Sequence, residues 1–147
     1  MTALPNPLIL KEVEIAEATI TLRSDNIVIV KYKRNTVLDV ELQLRMRQIY
    51  NELINNKKMN FIFMADDGFS LTKEARNNSE VIAETSPIKA YAIIVNNLAY
   101  RIIANFYYKI NKPKVPYKSF PTVKEAIHWL YTLDTLDKIS PPKQFSL

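Results

Sequence analysis

The chain has 147 residues, of which 48% are hydrophobic and 24% are charged, as expected for a single globular domain with its own core. It contains no cysteine, which excludes disulfide bonds, thiolate metal sites and cysteine nucleophiles. The net charge of +5 arises from 20 basic and 15 acidic residues scattered along the sequence, so it predicts a solvated surface and no specific site for nucleic acid.

The first third of the chain predicts a β-hairpin followed by a helix. Alternating apolar residues predict a strand over residues 13–22, with a bulge near Ala16, where the alternation changes phase. Ser24-Asp25-Asn26 is typical of a turn, and the apolar run after it predicts a returning strand over residues 26–33. Apolar residues at helical spacing then predict a helix over residues 39–56.

The rest of the chain alternates short apolar runs with helical patterns. The sequence predicts strands over residues 60–65, 88–95 and 115–120, and helices from Ser70 or Thr72 to Glu84, over residues 98–110 and from Thr122 to about residue 133. Thr122 and Glu125 form a capping box at the start of the last helix.

This order, β-β-α-β-α-β-α-β-α, predicts an α/β fold in which a mixed five-stranded sheet is covered by four helices. The strands 60–65 and 88–95 should be neighbours at the centre and inaccessible to solvent. We expect one domain over residues 1–147, with a core over about residues 13–133 and a C-terminal tail over residues 134–147.

Nothing in the sequence indicates a secreted or membrane protein. No apolar run approaches the roughly 18 residues that a membrane span requires. The first ten residues hold two prolines and lack the basic region of a signal peptide. We therefore expect a soluble, cytoplasmic protein of bacterial type.

Gly68 is the only glycine, where average usage would give about ten, so the other turns must rely on asparagine, aspartate and proline. It follows Asp66 and Asp67 at the carboxyl end of a predicted strand, where α/β sheets usually bind ligands. Two carboxylates there could hold Mg²⁺. The alternative is a solvated turn in which glycine supplies a positive φ. We favour the turn, and expect no metal and no cofactor.

Two hydroxyl groups follow this turn at the start of the predicted second helix. Ser70 and Thr72 could be phosphorylated, with Arg76 close enough to attract the phosphate, or they could cap the helix. We place a partner-binding or switch surface on Asp66, Asp67, Gly68, Ser70, Thr72 and Arg76.

The element order and three segments resemble the STAS domains, the fold of SpoIIAA-type anti-anti-sigma factors, over roughly Ile20 to Leu133. The segments are Thr72–Arg76, Arg101–Phe106 and Phe120–Leu130. The resemblance is closest to an uncharacterised STAS/SEC14-like branch of Bacteroidetes-type bacteria. In regulatory members of the family a serine after the third strand is phosphorylated. This sequence has Asp66 and Asp67 where the hydroxyl groups would stand, which places that switch in doubt.

The resemblance implies a non-catalytic regulatory or protein-interaction module with an unidentified protein partner. The alternative is a small-ligand or lipid-binding module, as the SEC14-like label suggests, and it requires a cavity between sheet and helices. We expect no enzyme, because the sequence has no Walker loop, dinucleotide fingerprint, zinc-helix motif or nucleophile elbow.

A second surface is predicted on the helix over residues 98–110. Tyr100, Arg101, Tyr107 and Tyr108 combine large aromatic rings with arginine, the composition of interface hot spots, and predict a homodimer. The alternative is that these tyrosines only cover the edge of the sheet. His128, the only histidine, is expected to be exposed on the last helix, next to Trp129 packed against the edge strand.

Overall fold

Strands and helices alternate along the described part of the chain, which comprises residues 7–82, 85–97 and 115–139 of a computed structural model. The strands are β1 (Ile9–Glu14), β2 (Ala18–Arg23), β3 (Ile27–Tyr32), β4 (Val37–Leu38), β5 (Met59–Ala65), β6 (Ser70–Leu71), β7 (Ile88–Ile94) and β8 (Tyr117–Phe120). The helices are α1 (Val40–Ile54), α2 (Lys73–Ile82) and α3 (Val123–Ile139).

Six strands form one mixed sheet in the order β1-β2-β3-β5-β7-β8. The first three are antiparallel to one another, and β3, β5, β7 and β8 run parallel. The mixed α/β architecture is thus confirmed, and so is the central position of β5 beside β7. The carboxyl ends of β3 and β5 lie at the same edge of the sheet, which positions the loops that follow them.

The predicted number of five strands is too low, because the segment over residues 13–22 forms parts of two strands. The phase change at Ala16 marks a hairpin turn and not a bulge. The amide of Ile15 donates to the carbonyl of Ala18 at 2.9 Å and closes a loop of Ala16 and Glu17. This loop contains none of the glycine, asparagine or aspartate residues that identify a hairpin in a sequence.

A second sheet was not predicted at all. It consists of β4 and β6, two residues each, which pair in parallel beyond the carboxyl ends of β3 and β5. Segments this short have no detectable alternation of apolar residues.

The helices agree with the sequence patterns where the structure describes them. Asp39 caps α1 by accepting the amide of Leu42 at 2.9 Å. Thr122 caps α3 by accepting the amide of Glu125 at 3.3 Å, which confirms one half of the predicted capping box, and its hydroxyl donates to the carboxylate of Glu125 at 2.9 Å. The helix α3 continues to Ile139, beyond the limit of the core predicted at residue 133. The predicted helix over residues 98–110 lies outside the described residues.

The core has one layer on each face of the sheet. On one face, α1 contributes Leu42, Met46, Tyr50, Leu53 and Ile54, which pack against apolar residues of β2, β3 and β5. On the other face, α3 places Ala126 and Leu130 against Ile62, Ala90 and Ala92. The alanines allow α3 to approach the sheet closely.

The expectation that β5 and β7 are fully inaccessible to solvent is only partly correct. Phe61, Ile62 and Ala92 are completely buried, but Ala65 is exposed. Ile93 is half-buried and belongs to neither of the two core clusters.

Candidate functional site

The acidic loop (Asp66–Phe69) follows β5 and is held by backbone hydrogen bonds to the neighbouring chain. The amide of Asp66 donates to the carbonyl of Tyr32 at 2.9 Å. The amide of Asn35 donates to the carbonyl of Asp67, also at 2.9 Å. The amide of Asp66 and the carbonyl of Asp67 therefore join the loop to residues 32–35, at the end of β3 and just after it.

Gly68 is required at its position by both backbone conformation and space. Its φ is +82°, in the region that disfavours residues with a side chain. A Cβ atom at Gly68 would lie 2.0 Å from Oδ1 of Asn35. The prediction that this glycine adopts a positive φ is confirmed, and the close approach of Asn35 gives a second reason for it.

Phe69 anchors the acidic loop to the core, a role that the sequence did not reveal. Its ring stacks on Tyr32 with the ring centroids 4.7 Å apart. Burial raises the pKa of Tyr32 and raises that of Tyr50, on α1, well above its ordinary value. Both phenols therefore stay neutral at physiological pH, and the loop packs on uncharged aromatic side chains.

The two hydroxyl groups after the acidic loop have different positions. Thr72 caps α2, because its hydroxyl oxygen accepts the amide of Ala75 at 3.0 Å. Ser70 lies in β6, where its amide donates to the carbonyl of Thr36 at 3.0 Å and its side chain is exposed. Ser70 is thus not the cap that the sequence allowed, since the backbone remains extended through Leu71.

The carboxylates of the acidic loop are exposed. Asp66 lies 3.6 Å from Lys31, and both side chains are about half exposed, so the pair is loose. Asp67 forms no ion pair with any described residue. No group of three acidic, histidine or cysteine side chains that could hold a metal occurs among the described residues. The loop thus presents two carboxylates at the surface, of which Asp67 has no charged partner there.

The helix α2 extends this surface and is attached to α1 mainly through polar groups. The amide nitrogen of Gln43 on α1 donates to the carbonyl of Ala75 and to Ser79, both at 3.0 Å, and its oxygen accepts from Asn78 at 2.8 Å. Arg76 is exposed one turn into α2. All six predicted site residues thus lie in the segment from Asp66 to Arg76, which follows the carboxyl end of β5.

The second predicted surface cannot be located. Tyr100, Arg101, Tyr107 and Tyr108 lie outside the described residues. On α3, His128 is exposed and Trp129 packs against Phe120 of the edge strand β8, with ring centroids 5.5 Å apart, as predicted.

A shallow groove of about 370 Å³ runs along the outer side of α1. Its lining residues are Leu44, Arg47, Gln48, Asn51, Glu52, Asn55 and Asn56. This position differs from the cavity between sheet and helices that a ligand-binding module would need. None of the helices in the described ranges has the length and apolar character of a membrane span.

Comparison with solved structures identifies the fold. An uncharacterised protein of the DUF3478 family from Shewanella loihica PV-4, which has a SpoIIAA-like fold, superposes with a TM-score of 0.52. The match covers 88% of this chain and 98% of that protein, at 14% sequence identity, so it shows the fold alone. The resemblance to STAS domains is thereby confirmed as a SpoIIAA-like fold.

Comparison of the sequence with known proteins identifies the family. No curated protein matches the chain. Residues 20–134 match the model of a family described as a domain of unknown function, DUF7793. This match includes the acidic loop, all of α1 and α2, and most of α3. The chain therefore belongs to the DUF7793 family.

Proposed function

We propose that this SpoIIAA-like domain is a non-catalytic regulatory or protein-interaction module that binds a partner protein through the acidic loop and α2. The observation that carries the proposal is the combination of a fixed backbone with exposed side chains in the acidic loop. The backbone is joined to Tyr32 and Asn35, whereas Asp66 and Asp67 face solvent.

A loop ordered before binding favours association, because less conformational entropy is lost when the complex forms. Gly68 and Phe69 supply that order through the close approach to Asn35 and the stacking on Tyr32. Such a loop on a rigid sheet is a common arrangement for recognition.

The charges of the acidic loop indicate the chemistry of the partner. Asp67 has no ion pair among the described residues, and the contact of Asp66 with Lys31 is weak. A partner surface with lysine or arginine would therefore meet carboxylates that are not already neutralised. Complementary charges of this kind mainly raise the association rate and fix the orientation of the partner.

The proposed absence of catalysis rests on the arrangement of reactive groups. The chain has no cysteine, and its one histidine lies on α3, which packs against β5, β7 and β8 and not beside α2. The hydroxyl of Thr72 is occupied in capping α2. None of the described residues at the acidic loop thus pairs a nucleophile with a general base.

The ligand-binding alternative gains no support from the described residues. The space between α1 and the sheet is filled by Ile20, Met46 and Phe61, each less than 2% exposed. The groove on the outer side of α1 is open and shallow, whereas ligand sites usually enclose most of the ligand.

The proposal is tested by affinity capture with the tagged chain from its source cells, followed by calorimetric titration of each purified partner. We expect Asp67→Asn to weaken binding by about ten-fold, which corresponds to about 1.4 kcal/mol. The matched control is Glu52→Gln, which removes one exposed carboxylate from α1 and should leave the affinity unchanged. Equal affinities of the two variants for every captured partner would contradict the proposal.

A further inference from the structure

We propose that the open edge of β1 binds an extended segment of a partner protein in which lysine or arginine alternates with apolar residues. The inference does not depend on the acidic loop. It rests on the unpaired edge of β1, on the exposed apolar residues at its start, and on the carboxylates that follow them.

Within the part of the chain that the structure describes, the backbone of β1 is paired on one side only. The strand is the first in the order of the six-stranded sheet, and its described partner is β2. Since Ile15 is hydrogen-bonded to Ala18, the antiparallel alternation directs the backbone groups of Val13 and Lys11 toward β2. Those of Glu12 and Glu14 consequently point outward, where an added strand would bind them.

The start of β1 is apolar and exposed, which is unusual for a sheet edge. Leu8, Ile9 and Leu10 are 70%, 64% and 58% exposed. β1 has two features that protect sheet edges, namely charged residues from Lys11 onward and an irregular register between Ile9 and Lys11, but neither covers the apolar side chains of residues 8–10. Three consecutive large apolar residues therefore indicate a surface that is covered in a complex.

The second half of β1 carries negative charge on one face. Glu12 and Glu14 lie on the same face of the sheet because they are two residues apart. Glu14 forms an ion pair with Lys33 at 2.7 Å, which offsets its charge, whereas Glu12 accepts a hydrogen bond from Thr21 and has no ion pair with a described residue. The second oxygen of each carboxylate has no bond to a described residue. The side chain of Glu14 is 69% exposed. A neighbouring strand would place every second side chain beside these carboxylates.

Charge complementarity selects a different protein over a second copy of this chain. A symmetric antiparallel pair of β1 strands centred on Glu12 or Val13 would place Glu12 opposite Glu12 or Glu14 of the partner copy. A pair centred on Lys11 would place two lysines opposite each other. A pair centred on Leu10 would bring no like charges together, but it would place Glu12 opposite Leu8 and leave that carboxylate without a basic partner. Like charges in direct opposition destabilise a pair of strands, whereas a basic residue opposite each glutamate stabilises it.

A synthetic peptide tests the proposal directly. The probe alternates lysine with valine and ends in leucines, and its binding to the full chain is followed by fluorescence anisotropy. We expect saturable binding, although the net charge of +5 repels a basic peptide in general. Hydrogen exchange measured by NMR should slow at the amides of Glu12 and Glu14, which become hydrogen-bonded.

The controls separate the edge of β1 from a general charge effect. The double variant Glu12→Gln/Glu14→Gln should weaken binding by roughly ten-fold. The matched variant Glu41→Gln/Glu52→Gln, which removes two exposed carboxylates from α1, should bind as the wild type does. A peptide with glutamate in place of lysine should not bind.

Three results would overturn the proposal. They are the absence of peptide binding, binding without protection of the Glu12 and Glu14 amides, and equal affinity of the two double variants. Protection of the same amides in the concentrated protein without peptide would identify a second copy as the occupant and would also refute it.

Discussion

At the scale of single residues, asparagine takes the place of glycine at every described position with a positive φ except Gly68. Asn26, Asn35, Asn55 and Asn56 all have φ between 53° and 63°. Asparagine tolerates this region better than other residues that carry a Cβ atom. Gly68 cannot be replaced in the same way, because its Cβ would meet Asn35.

Gly68→Ala should destabilise the protein by about 2 kcal/mol, through backbone strain and contact with Asn35. Urea unfolding measures the effect. The double variant Gly68→Ala/Asn35→Gly retains the strain but removes the Asn35 side chain, so it should recover part of the loss. A Gly68→Ala variant as stable as the wild type would show that the acidic loop has another conformation.

Asp25, in the turn between β2 and β3, connects that turn to α3. It accepts two hydrogen bonds from Arg23, at 3.1 and 2.6 Å, and one from Tyr131 on α3 at 2.7 Å. Burial raises the pKa of Asp25, but these hydrogen bonds outweigh it, and the pKa lies below its ordinary value of 3.8. The charged carboxylate therefore stabilises the fold at pH values above 3.8. This stabilisation is lost as the pH falls through the lowered pKa of Asp25 in the folded protein.

Tyr131→Phe should lower the free energy of unfolding by about 1–2 kcal/mol at neutral pH, because a charged acceptor loses a donor. The difference from the wild type should shrink as the pH falls below 3.8 and through the lowered pKa of Asp25 in the folded protein, where the carboxylate becomes protonated. Urea unfolding of both proteins, at neutral pH and at a pH below 3.8, measures the difference in the free energy of unfolding. A loss that is the same at both pH values would show that the hydroxyl contributes only through packing.

At the scale of elements, α2 is the helix that depends most on a few polar contacts. Ala75 is its only residue that is fully buried among those described. Gln43 of α1 makes three hydrogen bonds to it. The stability of α2 should therefore be lower than that of the sheet and should depend strongly on Gln43, although Arg47 of α1 also donates to the carbonyl of Ile82 at 3.4 Å.

Gln43→Ala should accelerate hydrogen exchange in α2 while α3 is unaffected, and should lower the free energy of unfolding by about 1 kcal/mol. Gln48→Ala is the matched control, since Gln48 is exposed on the same helix. Exchange in α2 that responds equally to both variants would contradict the assigned role of Gln43.

Elements with strong periodicity were predictable from the sequence, and the others were not. Asp39 and the apolar stripe of α1 located that helix correctly, whereas the turn at Ala16 and Glu17 had no composition that could identify it. The acidic loop was predicted from Asp66, Asp67 and Gly68, which are adjacent in sequence. Phe69, Asn35 and Gln43 were missed as parts of the site because their contacts join segments that are distant in sequence.

At the scale of the whole molecule, the SpoIIAA-like sheet separates two candidate surfaces. The acidic loop and α2 follow the central strand β5, whereas β1 forms the outer edge of the same sheet. The match to the DUF7793 family begins at residue 20, so the acidic loop lies inside it and β1 outside it.

Hydrogen exchange of the chain, free and bound to a captured partner, tests most directly whether the acidic loop is an ordered binding surface. We predict that the amide of Asn35, which is bonded to the carbonyl of Asp67, is protected before the partner is added. The partner should then slow exchange within residues 66–72. Rapid exchange at Asn35 in the free chain, or protection confined to α3 while residues 66–72 are unchanged, would contradict the account.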